Sequence, residues 1–280
     1  MKEIGLKAFE KQDLPACLGV ESAAMGKHLY LKDVAEYYTT TKGEFTLALV
    51  EDKVVGMGKL TVLFDGSAWL ELLRVHPDFQ RQGVGAKIYT RYLEQATAFR
   101  CPAIRMYTGA KNIPSAALAQ KNGLHRGPEF CSMTLNLQNI PWEKEHLQGF
   151  CLANGQQAQE LLLPMKEQAG GFFSINHTFY AVNPATCKGM AAAGWVYCAG
   201  ENALVLGARF QPEKVWHIGA IAGDLEKNLR FAIARAAQCG VEKLSFHFPP
   251  QNQRLPLLLE QYGFTPDPPN DVVMELNKEG

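Results

Sequence analysis

The order of predicted strands and helices in the first half of the chain returns in the second half, about 140 residues further on. In each half, alternating apolar residues predict strands that lead into a long helix, and a strand, a short helix and a last strand follow. A shift of 140 residues also aligns residues at turns and element ends: Val75 with Val215, Gly83 with Gly223, Asn112 with Asn252, Leu118 with Leu258, and Gly123 with Gly263. The sequence therefore predicts two diverged copies of one domain.

The segment LQNIPWEKEHLQ at residues 137–148 separates the two copies and is predicted to be a connector. We place the domain limits beside it, at residues 1–139 and 149–280. A chain of 280 residues suits two medium domains, each of which is long enough to bury its own core. The predicted fold class is α+β.

Charge and composition exclude several classes of partner. The 28 basic and 28 acidic residues cancel, whereas a nucleic-acid-binding chain needs a basic surplus to contact phosphates. The opening segment MKEIGLKAFEKQD has no signal-peptide pattern, and the longest apolar run, near residues 190–199, is too short to span a bilayer. The seven cysteines form no Cys-x-x-Cys pair, and the histidines form no His-x-x-x-His pair. We expect a cytoplasmic protein with reduced cysteines that binds neither nucleic acid, membranes nor a metal.

The segment LRVHPDFQRQGVGAK at residues 73–87 is the most informative local pattern. A predicted strand ends before Pro77, and a glycine-containing turn then leads into a helix. Glycine lets the backbone approach a ligand closely, and the unpaired N–H groups at a helix start attract anions, so the segment predicts a phosphate cradle. A Walker loop has no match, and Ile88 replaces the third glycine of a dinucleotide fingerprint. The pattern that fits is Gln80-x-x-Gly83-x-Gly85; a plain helix start with two incidental glycines is the alternative.

A second segment at the matching distance makes residues 1–137 resemble the GNAT superfamily of N-acetyltransferases. The sequence NIPSAALAQKNGL at residues 112–124 follows the family pattern Asn-x-x-x-x-x-Leu-Tyr-x-Lys-x-Gly-Phe. Residues 150–280 resemble the family in faded form. The resemblance implies two tandem GNAT-like domains, each a mostly antiparallel mixed sheet flanked by helices.

The resemblance also implies an acetyl-CoA site in the first copy. Backbone amides of the turn would hold the pyrophosphate, the end of the preceding strand would pair with the pantetheine arm, and an asparagine would contact that arm. A substrate amine would attack the thioester directly. The residues implied for binding acetyl-CoA are Leu73, Val75, Gln80, Arg81, Gln82, Gly83, Val84, Gly85 and Asn112.

Two residues are candidates for acid–base catalysis. Glu71 lies in an otherwise apolar strand and could accept the proton of the substrate ammonium, or could instead pair with a lysine or a backbone group. Ala119 replaces the tyrosine that acts as the general acid in this family, so Tyr107 or a water molecule is the candidate proton donor. Core packing is the alternative role for Tyr107.

The resemblance implies that the first third of the chain and the last strands select the substrate. The first third contains His28, Tyr30, Tyr37 and Tyr38, which could line a pocket or belong to the core. In the second copy, Ala220 replaces Gln80 and Leu225 replaces Gly85, and Asp224 would repel a phosphate, so we expect no CoA site there.

These observations predict an acetyl-CoA-dependent N-acetyltransferase that acts on a small-molecule amine such as an amino acid. A non-catalytic acyl-CoA-binding or sensing module is the alternative, because the acidic tyrosine is missing. A protein acetyltransferase is less favoured, since the chain has no strongly charged run to hold a peptide tail. We expect either a monomer with internal pseudo-symmetry or a homodimer.

Overall fold

The computed structural model describes residues 3–26, 29–138 and 140–277. In chain order the strands and α-helices are β1 (Gly5–Ala8), α1 (Leu14–Met25), α2 (Leu31–Thr40), β2 (Gly43–Val50), β3 (Lys53–Val62), β4 (Ala68–Val75), α3 (Val84–Ala98), β5 (Ala103–Gly109), α4 (Ile113–Lys121), β6 (His125–Asn136), β7 (Cys151–Leu152), α5 (Gly155–Leu162), β8 (Phe172–Ile175), β9 (Thr178–Ala181), α6 (Pro184–Ala192), β10 (Val196–Ala199), β11 (Asn202–Gly207), β12 (Val215–Ala222), α7 (Leu225–Gln238), β13 (Lys243–Phe248), α8 (Arg254–Gln261), β14 (Thr265–Pro266) and β15 (Asp271–Asn277). Short 3-10 helices include Pro77–Phe79, before α3, and Lys144–Leu147, within the predicted connector.

The chain divides into two compact units that are not contiguous in sequence. The first unit contains Met1–Met106, Pro114–His125 and Met274–Gly280, and the second contains Tyr107–Ile113 and Arg126–Val273. The limits predicted from the repeat, residues 1–139 and 149–280, are contiguous, and residues 1, 139 and 280 lie outside the described residues. Those limits remain a prediction about the sequence repeat.

In the first unit, the strands pair in the order β1-β2-β3-β4-β5. The first three pairs are antiparallel, and β4 runs parallel to β5, with Ala68 opposite Ile104 and Trp69 opposite Arg105. The register of β3 with β4 shifts beside Leu72, which has a left-handed φ of 61°. This bulge redirects β4 just before the turn of interest.

Helix α3 covers one face of this sheet, and its buried residues are Val84, Ile88, Tyr89, Tyr92 and Ala96. The helical spacing of Val84, Ile88, Tyr92 and Ala96 in the sequence predicts this apolar face. The helix lies so close to β3 that a Cβ added to Gly58 would be 2.0 Å from the Tyr92 hydroxyl oxygen. Glycine in β3 therefore sets the depth at which α3 and its N-terminus are held.

In the second unit, the strands pair in the order β6-β13-β12-β11-β10-β7, β14 adds to β6, and β8 and β9 form a separate hairpin. Only β12 and β13 run parallel among these neighbours in the described residues. Each unit therefore contains a mixed, mostly antiparallel sheet with flanking helices, and the predicted α+β class is confirmed. None of the helices in the described ranges combines the length and the apolar character needed to cross a bilayer.

The order of strands and helices repeats in the second unit as predicted, but the predicted residue alignment is wrong at Val75. The series β4-α3-β5-α4 corresponds to β12-α7-β13-α8, with a parallel strand pair in each. Val75, however, is the last residue of β4, whereas Val215 is the first residue of β12. A constant offset fails here because the connection at residues 76–83 is reduced to Gly223 and Asp224 in the second unit.

Candidate functional site

The turn between β4 and α3 is braced by its own side chains. The Gln80 side-chain amide donates to the Val75 carbonyl oxygen (3.2 Å), and the Gln82 amide donates to the Asp78 carbonyl oxygen (2.7 Å). The backbone is left-handed at Arg81 (φ 59°) and again at Gly83 (φ 92°), which is the N-cap of α3. These side-chain hydrogen bonds stabilise the turn in a conformation that has left-handed backbone at two positions.

The backbone N–H groups of residues 81–86 have no backbone acceptor in the described part of the chain. The first bond of this kind comes from the Lys87 N–H to the Gly83 carbonyl oxygen, at 3.0 Å. Arg81, Gln82 and Gly83 are exposed, and the N-terminus of the 15-residue α3 adds its positive dipole end. The turn thus presents a row of free donors that suits a phosphate group.

The two predicted glycines serve different ends. Among the described residues, a Cβ on Gly83 would meet nothing closer than the Ile4 Cδ1 atom at 3.9 Å. A Cβ on Gly85 would lie 3.4 Å from Leu118 Cδ2 and 3.9 Å from Val75 Cγ2. Gly83 therefore gives the left-handed turn and access to the amides, whereas Gly85 allows close packing inside the first unit.

The last part of β4 offers a backbone edge. Its pairing with β5 covers Ala68 and Trp69 only. Beyond them, the Leu73 carbonyl oxygen accepts from the Arg74 guanidinium (2.9 Å), and the Val75 carbonyl oxygen accepts from Gln80. An extended ligand with amide groups could add to such an edge as another strand does.

Glu71 lies on β4 before this edge and is half-buried. The Thr61 hydroxyl donates to its Oε1 atom at 2.6 Å, and the Tyr38 hydroxyl donates to its Oε2 atom at 3.3 Å. Lys59, which is 1% exposed, stands directly opposite Glu71 in the register and donates to the Thr41 carbonyl oxygen at 3.3 Å. Both predicted roles of Glu71, as a base and as a structural partner, fit these contacts.

The predicted substrate segment brings tyrosines to this carboxylate. Arg74 donates to the Tyr30 hydroxyl at 3.4 Å, and burial raises the pKa of Tyr30, which Arg74 partly opposes. The buried Glu21 carboxylate accepts from the Tyr30 and Leu31 N–H groups and so fixes the start of α2. Tyr38 is buried, so it combines a core position with its bond to Glu71. His28 lies outside the described residues.

Tyr107 and Asn112 are grouped with the second unit. The Tyr107 ring stacks on the His177 imidazole, with centroids 5.1 Å apart and planes 20° apart. Asn112 lies in an exposed turn, where its N–H donates to the Gly109 carbonyl oxygen at 2.8 Å. Ala119, at the position of the family's tyrosine, is fully buried in α4. The roles predicted for Tyr107 and Asn112 remain predictions.

The corresponding helix start in the second unit is occupied by its own side chains. The Asp224 carboxylate accepts from the Lys227 N–H at 3.0 Å, and the Asn202 side-chain oxygen accepts from the Asp224 N–H at 2.7 Å. A Cβ on Gly223 would lie 2.7 Å from that Asn202 oxygen. Ala220, predicted as the counterpart of Gln80, lies inside β12. Only Gly223 and Asp224 connect β12 to α7, so the second unit has no segment that corresponds in length to residues 76–83.

A second cluster of polar side chains lies within the second unit and was missed by sequence analysis. His177, in the β8–β9 turn, is 2.8 Å from the Asp271 carboxylate, and His247 of β13 is 3.4 Å from the same oxygen. Burial alone would raise the pKa of Asp271, but the hydrogen-bonded His177 and the nearby His247 imidazole hold it at about 2. No short-range spacing links these residues, since they come from three distant segments.

Comparison with known proteins supports the fold and part of the chemistry. Residues 15–124 match the model of the acetyltransferase (GNAT) family. This match includes the turn at 80–85 and helix α4. No curated protein sequence matches the chain.

Similar solved structures cover nearly the whole chain. An acetyltransferase candidate from Pyrococcus horikoshii has a TM-score of 0.65 at 17% identity, covering 100% of this chain and 91% of its own. A GCN5-related N-acetyltransferase from Sphaerobacter thermophilus has a TM-score of 0.64 at 12% identity, with 98% and 95% covered. A tandem GNAT protein from the clavulanic acid biosynthesis pathway has a TM-score of 0.59 at 14% identity, with 98% of each chain covered. At these identities the likeness establishes a shared fold.

Proposed function

Residues 15–124 belong to the acetyltransferase (GNAT) family within a chain of tandem GNAT fold, and on this premise we propose that the protein transfers the acetyl group of acetyl-CoA to the amine of a small molecule, such as an amino acid. Acyl-CoA-dependent acetyl transfer is the activity of the family. The small amine is our proposal.

The observation that carries the proposal is the row of free N–H groups at residues 81–86. They begin a 15-residue helix, they follow a left-handed turn, and the unpaired edge of β4 ends beside them. A pyrophosphate would accept from these amides, while the amide groups of the pantetheine arm would pair with Leu73 and Val75. The arrangement suits an anionic head joined to an extended amide chain, as in CoA.

Glu71 is the proposed general base. An amine attacks a thioester only after it has lost its extra proton. The Glu71 carboxylate, which accepts hydrogen bonds from Thr61 and Tyr38, would take that proton. The new amide bond forms as the carbon–sulfur bond breaks, and the thiolate takes a proton from Tyr107 or from water. The products are the acetylated amine and free CoA.

We propose that the second unit does not bind CoA. Asp224 and Asn202 fill the start of α7 with oxygen atoms, which would repel a phosphate and compete for the same N–H groups. One CoA per chain is therefore expected.

Two measurements on the unmodified protein test the proposal. Calorimetric titration with CoA should give one site per chain, and incubation of acetyl-CoA with a panel of amino acids and other small amines should release free thiol with at least one of them. Absence of CoA binding would refute the site. Binding without turnover of any amine would instead favour an acyl-CoA-sensing module, for which buried Ala119 in place of the acidic tyrosine is the supporting observation.

A further inference from the structure

Three side chains of metal-ligating type converge within the second unit. They are His177 from the β8–β9 turn, His247 from β13 and Asp271 from the first position of β15. The Asp271 Oδ2 atom lies 2.8 Å from His177 Nδ1 and 3.4 Å from His247 Nε2, and the candidate donor atoms of all three residues lie within 4.8 Å of one another. One ion could therefore contact all three after small side-chain movements.

The two buried imidazoles at this point lack hydrogen-bond partners. His217 and His247 are each 3% exposed, and no ring nitrogen of either has a hydrogen bond within the described residues. Their rings are nearly parallel, with centroids 6.1 Å apart. The 3.4 Å contact of His247 Nε2 with Asp271 points the nitrogen at the carboxylate, outside hydrogen-bonding geometry. Buried polar groups almost always have partners, so the unpartnered Nε2 atom of His247, which lies beside Asp271, indicates a missing group.

The hairpin turn holds His177 in place at a backbone cost. Asn176 (φ 49°) and His177 (φ 52°) are both left-handed, as a two-residue turn of this type requires, although glycine is the usual second residue. The Asn176 side-chain oxygen accepts from the Arg209 N–H at 2.7 Å, and the Arg209 guanidinium donates to the Thr178 hydroxyl. The His177 side chain is 45% exposed, which leaves one side of the cluster open to solvent.

We propose that His177, His247 and Asp271 form a binding site for a divalent transition-metal cation, with Zn²⁺ the best match. Two imidazoles and one carboxylate, with one side open, are the donor set of zinc sites that keep a position for water or a further ligand. Ca²⁺ and Mg²⁺ prefer oxygen ligands throughout, and the cluster supplies only one carboxylate. Zinc–ligand bonds of about 2.0–2.2 Å place neighbouring ligand atoms roughly 3.3 Å apart. The distances of 2.8 and 3.4 Å from Asp271 to the two imidazoles are close to this value.

The ion would tie the turn of the β8–β9 hairpin to β13 and β15. None of the three ligands belongs to the proposed CoA or base residues, although the His177 ring stacks on Tyr107, the candidate proton donor.

The test is a titration of chelator-treated full-length protein with ZnCl₂ by calorimetry, repeated with CoCl₂ while visible absorption is recorded. We expect one Zn²⁺ per chain, cobalt absorption bands typical of nitrogen and oxygen ligands, and a higher melting temperature with zinc. His177→Ala, at an exposed turn, should weaken zinc binding at least 100-fold. His146→Ala is the matched control, because His146 belongs to the same unit and also stands beside a carboxylate, Glu143, at 3.6 Å.

Asp271→Asn provides a second variant that keeps the side-chain shape, in case His177→Ala disturbs the hairpin. The proposal is overturned if the unmodified protein binds no zinc. It is equally overturned if folded His177→Ala and Asp271→Asn bind zinc as tightly as His146→Ala, as they would if the exposed Cys151 or Cys239 held the ion.

Discussion

The strongest test of the acetyl-CoA site is Gly83→Glu, because the structure separates its effect on binding from its effect on folding. Gly83 has a φ of 92°, so any other residue is strained there by about 1–3 kcal/mol. A Cβ at this position meets no described residue closer than 3.9 Å, so crowding adds little. Strain of this size lowers stability and leaves the first unit folded.

Gly240→Glu is the matched control. Gly240 has a φ of 71°, has no atom within 4 Å of an added Cβ, and follows α7 in the second unit. Both variants therefore introduce the same side chain at a strained, open position. Their free energies of unfolding, measured by urea denaturation, should fall by similar amounts.

The two variants should differ in CoA affinity. A carboxylate about 6 Å from one phosphate charge costs roughly 3 kcal/mol at an effective dielectric constant of about 20. That free energy corresponds to a CoA Kd weaker by about 100-fold for Gly83→Glu, with no change for Gly240→Glu. The loss should shrink at high salt, because ions screen the repulsion. Equal CoA affinity in the two folded variants would refute the cradle.

Two further predictions concern single side chains. Glu71→Gln should lower kcat by about 10²–10⁴-fold at neutral pH, which is the usual contribution of a positioned base. The loss should be smaller at high pH, because more of the substrate amine is then already deprotonated. A full rate together with a lower melting temperature would show that Glu71 has a structural role only. Burial holds the pKa of His217 well below its usual value of 6.5, so the unfolded chain binds more protons below that pH and stability is lost as the pH falls through it. In chelator-treated protein, His217→Leu should therefore flatten the dependence of the unfolding free energy on pH by up to about 1.4 kcal/mol per pH unit below pH 6.5, whereas His146→Leu should retain it.

Local patterns predicted the parts of the fold that depend on neighbouring residues. The spacing of apolar residues in α3 predicted its buried face, and the glycines predicted the turn before it. Both features depend on residues that are close together in the sequence. The bulge at Leu72 was not predictable, since a left-handed leucine is held by pairing with β3 rather than by its own preference. The cluster of His177, His247 and Asp271 was missed for the same reason, because only the tertiary fold brings those segments together.

The N-termini of α3 and α7 differ in whether a side chain caps the helix. In the first unit, the N–H groups of residues 81–86 have no backbone acceptor among the residues that the structure describes, and Gly83 supplies no side-chain cap to α3. In the second unit, Asp224 caps α7, and a cap of this kind stabilises a helix by about 1 kcal/mol. A carboxylate in that position gives the helix the negative charge that a phosphate would otherwise bring. The first unit forgoes this stabilisation and keeps its amides free, which is the expected pattern where a ligand supplies the missing acceptor. The uncapped helix is thus the one that we expect to gain stability when CoA is added.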